Sequence, residues 1–125
     1  MLGDKDVVAT VAVKDLQVAR KFYQGTLGLE LVHEEGGEAV TLKAGGSRLV
    51  VYRSEFAGTN RATGATWMVG GEIDRLVQGL KERGVVFEHY DMPGSTQKGD
   101  VYAFGDIKSA WFKDPDGNII AIVNR

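Results

Sequence analysis

The feature that most constrains this chain is that its architecture repeats. Val7 to Val13 (VVATVAV) is a short, apolar, β-branched run, as expected of a strand covered on both faces. Asp15 follows and can cap a helix, along which Leu16, Ala19, Phe22 and Tyr23 recur at helical spacing until Gly25 and Gly28 close it. Leu29 to His33 reads as a strand, and Ala39 to Lys43 with Arg48 to Arg53 as a hairpin about Gly45-Gly46. After a linker, Arg53 to Gly64, the order restarts: a strand at Ala65 to Val69, then a helix with Ile73, Leu76, Val77 and Leu80 on one face, stopped by Gly84. A strand at Val85 to Tyr90, a loop over about Asp91 to Asp106, and a hairpin of Ala110 to Lys113 with Asn118 to Val123 complete it. An offset of 56 carries Val13 to Val69, Gly28 to Gly84, Leu31 to Phe87 and His33 to His89. The closing hairpins align at 70, carrying Leu42 to Phe112, Leu49 to Ile119 and Val51 to Ala121. The difference of 14 between those two offsets is extra loop in the second half.

The repeat predicts an α+β fold of two tandem βαβββ modules, about 5–55 and 62–125, within a single domain spanning 1–125. Each helix has one apolar stripe and covers one face of a sheet. The first strands are apolar on both faces, so the opposite face also needs cover. Two modules meet that need by curling towards each other, as a curved eight-stranded mixed sheet around a central cavity with the helices outside. Composition narrows the function. With no cysteine, thiolate metal sites and a cysteine nucleophile are excluded. A net charge of −2 with dispersed Lys and Arg gives no nucleic-acid stripe. A polar N-terminus and no long apolar run argue against secretion or membrane insertion, so a cytoplasmic protein is expected.

Two motifs, VAVKDLQVARKFYQGTLGLELV (Val11 to Val32) and WFKDPDGNIIAIVN (Trp111 to Asn124), resemble the glyoxalase / bleomycin-resistance / dioxygenase superfamily, also called vicinal oxygen chelate proteins. The resemblance covers essentially the whole chain and implies the duplicated fold and, in many members, a homodimer. It does not imply one reaction. Catalytic members usually hold one divalent metal with two His or Gln and two Glu, and use it as a Lewis acid on adjacent substrate oxygens. Counting from the KDL and DPDGN motifs places those four positions at Val8, Val51, Gly64 and Ala121, and the repeat maps Val8 onto Gly64 and Val51 onto Ala121. None of these side chains can ligate a metal; a register error at Val51 would substitute Val50 or Tyr52, neither a replacement for Glu. No metal and no cofactor are expected there.

Strand alternation from these positions proposes an inward wall of Val8, Thr10, Ala12, Gly64, Thr66, Met68, Leu49, Val51, Arg53, Ile119, Ala121 and Val123, to which hairpin pairing adds Val40, Leu42, Ala110 and Phe112. Trp67 and Trp111 then fall on the helix side. Candidate ligand contacts are Thr10, Arg53, Thr66, Met68 and Phe112, with His89, Tyr102 and Phe104 from the long loop. Each has a plain alternative. Arg53 is a carboxylate clamp or a strand-end arginine reaching solvent. His33 and His89 are a displaced site or polar strand ends. Tyr102 and Phe104 are an aromatic lid or simply pack the loop. Asp114-Pro115-Asp116-Gly117 reads as a turn and not as an acidic metal loop. No Ser–His–Asp spacing supports a hydrolase. The expectation is therefore a metal-independent binder of a small, largely apolar molecule, in the manner of bleomycin-sequestering proteins. The alternatives are a lyase, isomerase or dioxygenase using groups such as His89, Glu88, Tyr90 or Arg53 for proton transfer, and a pocketless interaction domain.

Overall fold

The computed structural model describes every residue, Met1–Arg125. The chain divides into two compact units, Met1–Ala57 and Gly58–Arg125. The first contains β1 (Ala9–Val13), α1 (Leu16–Arg20), β2 (Glu30–Glu35), β3 (Ala39–Ala44) and β4 (Ser47–Arg53), a βαβββ module in chain order. Its strands lie in the order β1-β4-β3-β2, with β1 parallel to β4 and the rest antiparallel. Asp15 caps α1 as its position predicts, its Oδ1 accepting from the Gln17 and Val18 amides at 2.9 and 3.2 Å. The helix then widens into a π segment, Lys21–Thr26, in which the Leu27 N–H donates to the Phe22 carbonyl. Gly28, at φ +80°, provides the left-handed residue beyond its end.

The second unit contains β5 (Thr63–Met68), α2 (Ile73–Glu82), β6 (Phe87–Glu88), β7 (Thr96–Lys98), β8 (Val101–Phe104), β9 (Ile107–Lys113) and β10 (Ile119–Val123). Its sheet runs β5-β10-β9-β8-β7, with β6 also pairing β9 and β5 parallel to β10. Ten strands thus form two mixed sheets, where the repeat alone predicts eight strands in one curved sheet. The additional two come from the segment expected to be a loop: within Asp91 to Asp106, β7 and β8 pair as a hairpin that extends the sheet beyond β9. Alternation of Val101, Tyr102, Ala103 and Phe104 gives that segment a strand pattern.

Each sheet has one well-packed face. In the first unit Val11, Val13, Val40, Leu42, Leu49 and Val51 are buried beside Leu16, Ala19 and Tyr23 of the helical segment. In the second, Ala110, Phe112, Ile120 and Ile122 are buried beside Ile73 and Val77 of α2, with Phe87 edge-on to Phe112 at 5.6 Å. The β9–β10 turn is fixed by Asp114, whose Oδ1 accepts from the Asp116 and Asn118 amides at 3.0 and 2.8 Å. Its Oδ2 accepts from Asn118 Nδ2 at 2.7 Å. No helix is long and apolar enough to cross a membrane.

Candidate functional site

Residues directly across a ladder share a face, so the strand registers define the face opposite the packed one in each module. In the first module Thr10 lies across from Val50 and Ala12 from Tyr52, while Thr41 and Ala39 pair with the same two residues from the other side. His33 extends the Thr41 row. Val8 and Tyr52 are 41% and 40% exposed, large values for apolar side chains on a sheet face. Val51 is fully buried and lies across from Val11 on the packed face. That corrects the placement of Val51, Leu49, Val40 and Leu42: all four belong to the core under α1. The first module's counterpart of Ala121 is instead Val50, which lies across from Thr10 as Ala121 lies across from Thr66.

In the second module Thr66 lies across from Ala121 and Met68 from Val123, and Ala121 pairs with Trp111. A bulge between Ile119 and Ile120 accommodates Gly64 in β5. Glu88 lies across from Trp111 on its other side, and Tyr102 across from Ser109. This open face therefore holds Thr66, Met68, Trp111, Glu88, Tyr90 and Tyr102. Phe112 and Ala110 pair with Ile120 and Ile122 and sit in the core on the other face, a second correction. Trp111, expected on the helix side, exchanges places with Phe112; Trp67, across from Ile122, does lie there.

The open face of the second sheet is organised around Trp111. Tyr90 and Tyr102 both meet its ring edge-to-face, with centroids 5.9 and 5.5 Å away. The Tyr102 hydroxyl accepts from the Tyr90 amide at 2.6 Å, and the side chain is fully buried, packed against Trp111. The Tyr90 hydroxyl is itself buried yet has no hydrogen-bond partner, an uncommon condition for a phenol. Burial, and then the neighbouring Glu88 carboxylate, push its pKa above the usual tyrosine value, so it remains a proton-bearing donor. Lys113 pairs with Glu88 at 3.5 Å. Met68, at 71% exposure, is among the most exposed large apolar residues of a strand. Phe104, half-buried in β8, lies across from Ile107.

Arg53 lies across from Val13 and is 57% exposed, bonded to Glu38 at 3.1 Å. That bond raises its pKa, so Arg53 is a surface ion pair in which one guanidinium nitrogen holds Glu38. His33 bonds Glu35 at 2.6 Å at an exposed edge. His89 alternates away from Glu88 and Tyr90 and does not face Trp111. It bonds Asp100 Oδ1 at 2.7 Å, while Lys81 of α2 bonds Asp100 Oδ2 at 2.8 Å. The Lys81 bond, and then that of His89, hold the Asp100 carboxyl below the usual aspartate range. This network anchors the β7–β8 hairpin tip to α2. Thr10, Thr66 and Met68 do stand on the open faces.

The residues do not fit the superfamily's metal. Val8, Gly64, Ala121 and Val50 carry no donor atom, and Tyr52 alone would offer a neutral phenol. No group of three or more His, Asp or Glu side chains converges anywhere in the chain. The place of Trp111 on this face, and of Val50 in place of Val51, was hidden by a single turn. Between Lys43 and Arg48 lie four residues, but between Lys113 and Ile119 lie five, so the offset grows from 70 to 71 across the hairpin. Unequal turn length was the signal available in the sequence.

Comparison with known proteins agrees with this geometry. Residues 7–122 match the model of the Glyoxalase/Bleomycin resistance protein/Dioxygenase superfamily. Solved structures with the same fold include the integron cassette protein HFX_CASS4 from the mobile metagenome of the Halifax Harbour sewage outfall, 20% identical with a TM-score of 0.72 over 97% of this chain and 99% of that one. Lactoylglutathione lyase from Agrobacterium tumefaciens is 18% identical, TM-score 0.71, over 96% and 92%. A mutant of the fosfomycin resistance protein FosX from Listeria monocytogenes, solved with Mn(II) and 1S,2S-dihydroxypropylphosphonic acid, is 17% identical, TM-score 0.72, over 99% and 91%. No curated protein matches the sequence. With the family model spanning all but the chain's ends and both modules in the order the fold requires, this chain belongs to the glyoxalase/bleomycin resistance/dioxygenase superfamily.

Proposed function

We propose that this chain binds a small, largely apolar molecule without a metal, in a sequestering or carrier role like that of bleomycin-resistance proteins. The observation that carries the reading is a contrast on the open faces. The positions that would hold a metal are Val8, Val50, Gly64 and Ala121, and the neighbouring positions are Thr66, Met68 and Trp111. Such a surface offers apolar contact area and one uncommitted donor, the Tyr90 hydroxyl. A planar or aromatic ligand with a single acceptor oxygen fits it: the body rests on Met68 and Trp111, and the oxygen accepts a hydrogen bond from the Tyr90 hydroxyl once that side chain swings out of its buried position. Two chains pairing as a homodimer belong to the same reading, since exposed apolar side chains away from that face, such as Val86 and Val32, gain from cover.

The test is elemental analysis of the purified protein together with thermal-shift screening against aromatic and antibiotic-like compounds, with light scattering for the oligomer. The expected result is no stoichiometric divalent metal, stabilisation by at least one apolar ligand, and loss of that stabilisation in Thr66→Trp, which fills the face. A bound stoichiometric metal, or turnover that depends on one, would overturn the proposal. So would the absence of stabilisation by any compound, which favours an interaction domain.

A further inference from the structure

The surplus segment of the second module builds a recess of its own. Tyr102 turns to the Trp111 face, so its neighbours Val101 and Ala103 turn to the α2 side. Across the ladder, Val101 meets Lys98, and Ala103 meets Thr96 on one side and Lys108 on the other. These side chains, with Asp74 from the first turn of α2, line a groove of about 430 Å³. That is within the range of small-molecule sites. Its floor is Val101 and Ala103, both half-buried. At one end Lys108 Nζ bonds Asp74 Oδ2 at 3.3 Å. At the other, the Lys98 ammonium and the Thr96 hydroxyl have no protein partner. The hairpin tip is already held, because the Asp100 carboxylate, with a side-chain exposure of 13%, is bonded by both Lys81 and His89. The groove therefore needs no ordering of its hairpin to receive a ligand.

Two ammonium groups and one carboxylate give the lining a net charge of +1, with the surplus at Lys98. We propose that this groove binds small monocarboxylic acids with a short apolar chain. The carboxylate is taken by Lys98 Nζ and the Thr96 hydroxyl, and the chain lies over Val101 and Ala103. The site is independent of the Trp111 face, which lies on the opposite side of the same sheet. A dianion would exceed the available charge, and a cation would meet Lys98.

The test is an amide NMR titration of the full chain with sodium hexanoate, with hexanol and hexylamine as controls, repeated in Lys98→Gln and Ala103→Phe. Hexanoate is expected to shift the amides of Thr96, Lys98, Val101, Ala103, Lys108 and Asp74. Lys98→Gln, an exposed substitution that leaves folding intact, should weaken binding about tenfold, the worth of one charge-assisted contact near solvent. Ala103→Phe should abolish it by filling the floor. Hexanol shifting the same amides as strongly as hexanoate, or binding indifferent to Lys98→Gln, would overturn the proposal. Shifts confined to Thr66, Tyr90 and Trp111 would also overturn it while leaving the reading of that other face intact.

Discussion

Replacing Asp114 by alanine tests the turn on which the geometry of the open face depends. The Asp114 carboxylate accepts three hydrogen bonds, from the Asp116 amide, the Asn118 amide and the Asn118 side chain. Asp114 and Asn118 are 4% and 8% exposed, so water does not readily replace the lost acceptor. Stranding a buried donor costs about 1–3 kcal/mol. Asp116 is only half-buried and falls at the low end, so Asp114→Ala should destabilise by about 3–5 kcal/mol in total. That is a large part of the roughly 5–15 kcal/mol that holds a domain folded. For a chain of 125 residues it corresponds to a fall in Tm of about 10–20 °C. Asp114→Asn keeps an acceptor for both amides and sets its own amide against that of Asn118, so it should lose only about 1–2 kcal/mol. Calorimetry gives both values. Tryptophan fluorescence adds a local readout, because the turn joins β9, which carries Trp111, to β10. If Asp114→Ala melts within about 3 °C of the parent, or Asp114→Asn is equally damaging, then acceptor geometry is not what the carboxylate contributes.

Asp100 should give acid sensitivity of a defined sign. Its folded pKa lies below the ordinary 3.8, so its contribution is full above that value and is lost as pH falls from there through the folded pKa; Asp100→Asn should lower the urea midpoint at pH 7 and flatten the midpoint-versus-pH curve below about pH 5. An unchanged curve would show that the Lys81–Asp100–His89 network contributes nothing. Gly58→Ala should destabilise by more than about 1–2 kcal/mol, because φ is +75° and a Cβ there would overlap the Asp116 carbonyl oxygen; an unchanged urea midpoint refutes this. Tyr90→Phe removes a buried hydroxyl without a partner, so stability should hold or rise by up to about 1 kcal/mol, while affinity falls for ligands carrying an acceptor and not for pure hydrocarbons. A marked loss of stability would mean the hydroxyl is bonded after all.

Element order was legible in the sequence because helices and strands announce themselves locally. Asp15 before an apolar helical stripe, Gly84 after one and the Asp114 turn each act through neighbours a few residues away, and each stands where its chemistry requires. The β7–β8 hairpin was missed because its first strand, Thr96–Lys98, is polar and exposed throughout; only Val101 to Phe104 alternates, and that run alone does not reveal a partner.

The composition of the candidate site was harder, for a reason that is geometric and not chemical. Side chains alternate with a period of two, so any error of one residue in aligning two strands moves every side chain on them to the opposite face. Aligning the hairpins at a single offset of 70 hid the extra residue in the Asp114–Asn118 turn, and that exchanged Trp111 for Phe112 and Val50 for Val51. The same error leaves the absence of metal ligands untouched, because no residue on either side of the exchange is a carboxylate or an imidazole. A conclusion about which chemistry a site lacks survives a register slip when both alternatives lack it. A conclusion about which groups a ligand would touch does not, because it rests on the pairing of Trp111 with Ala121.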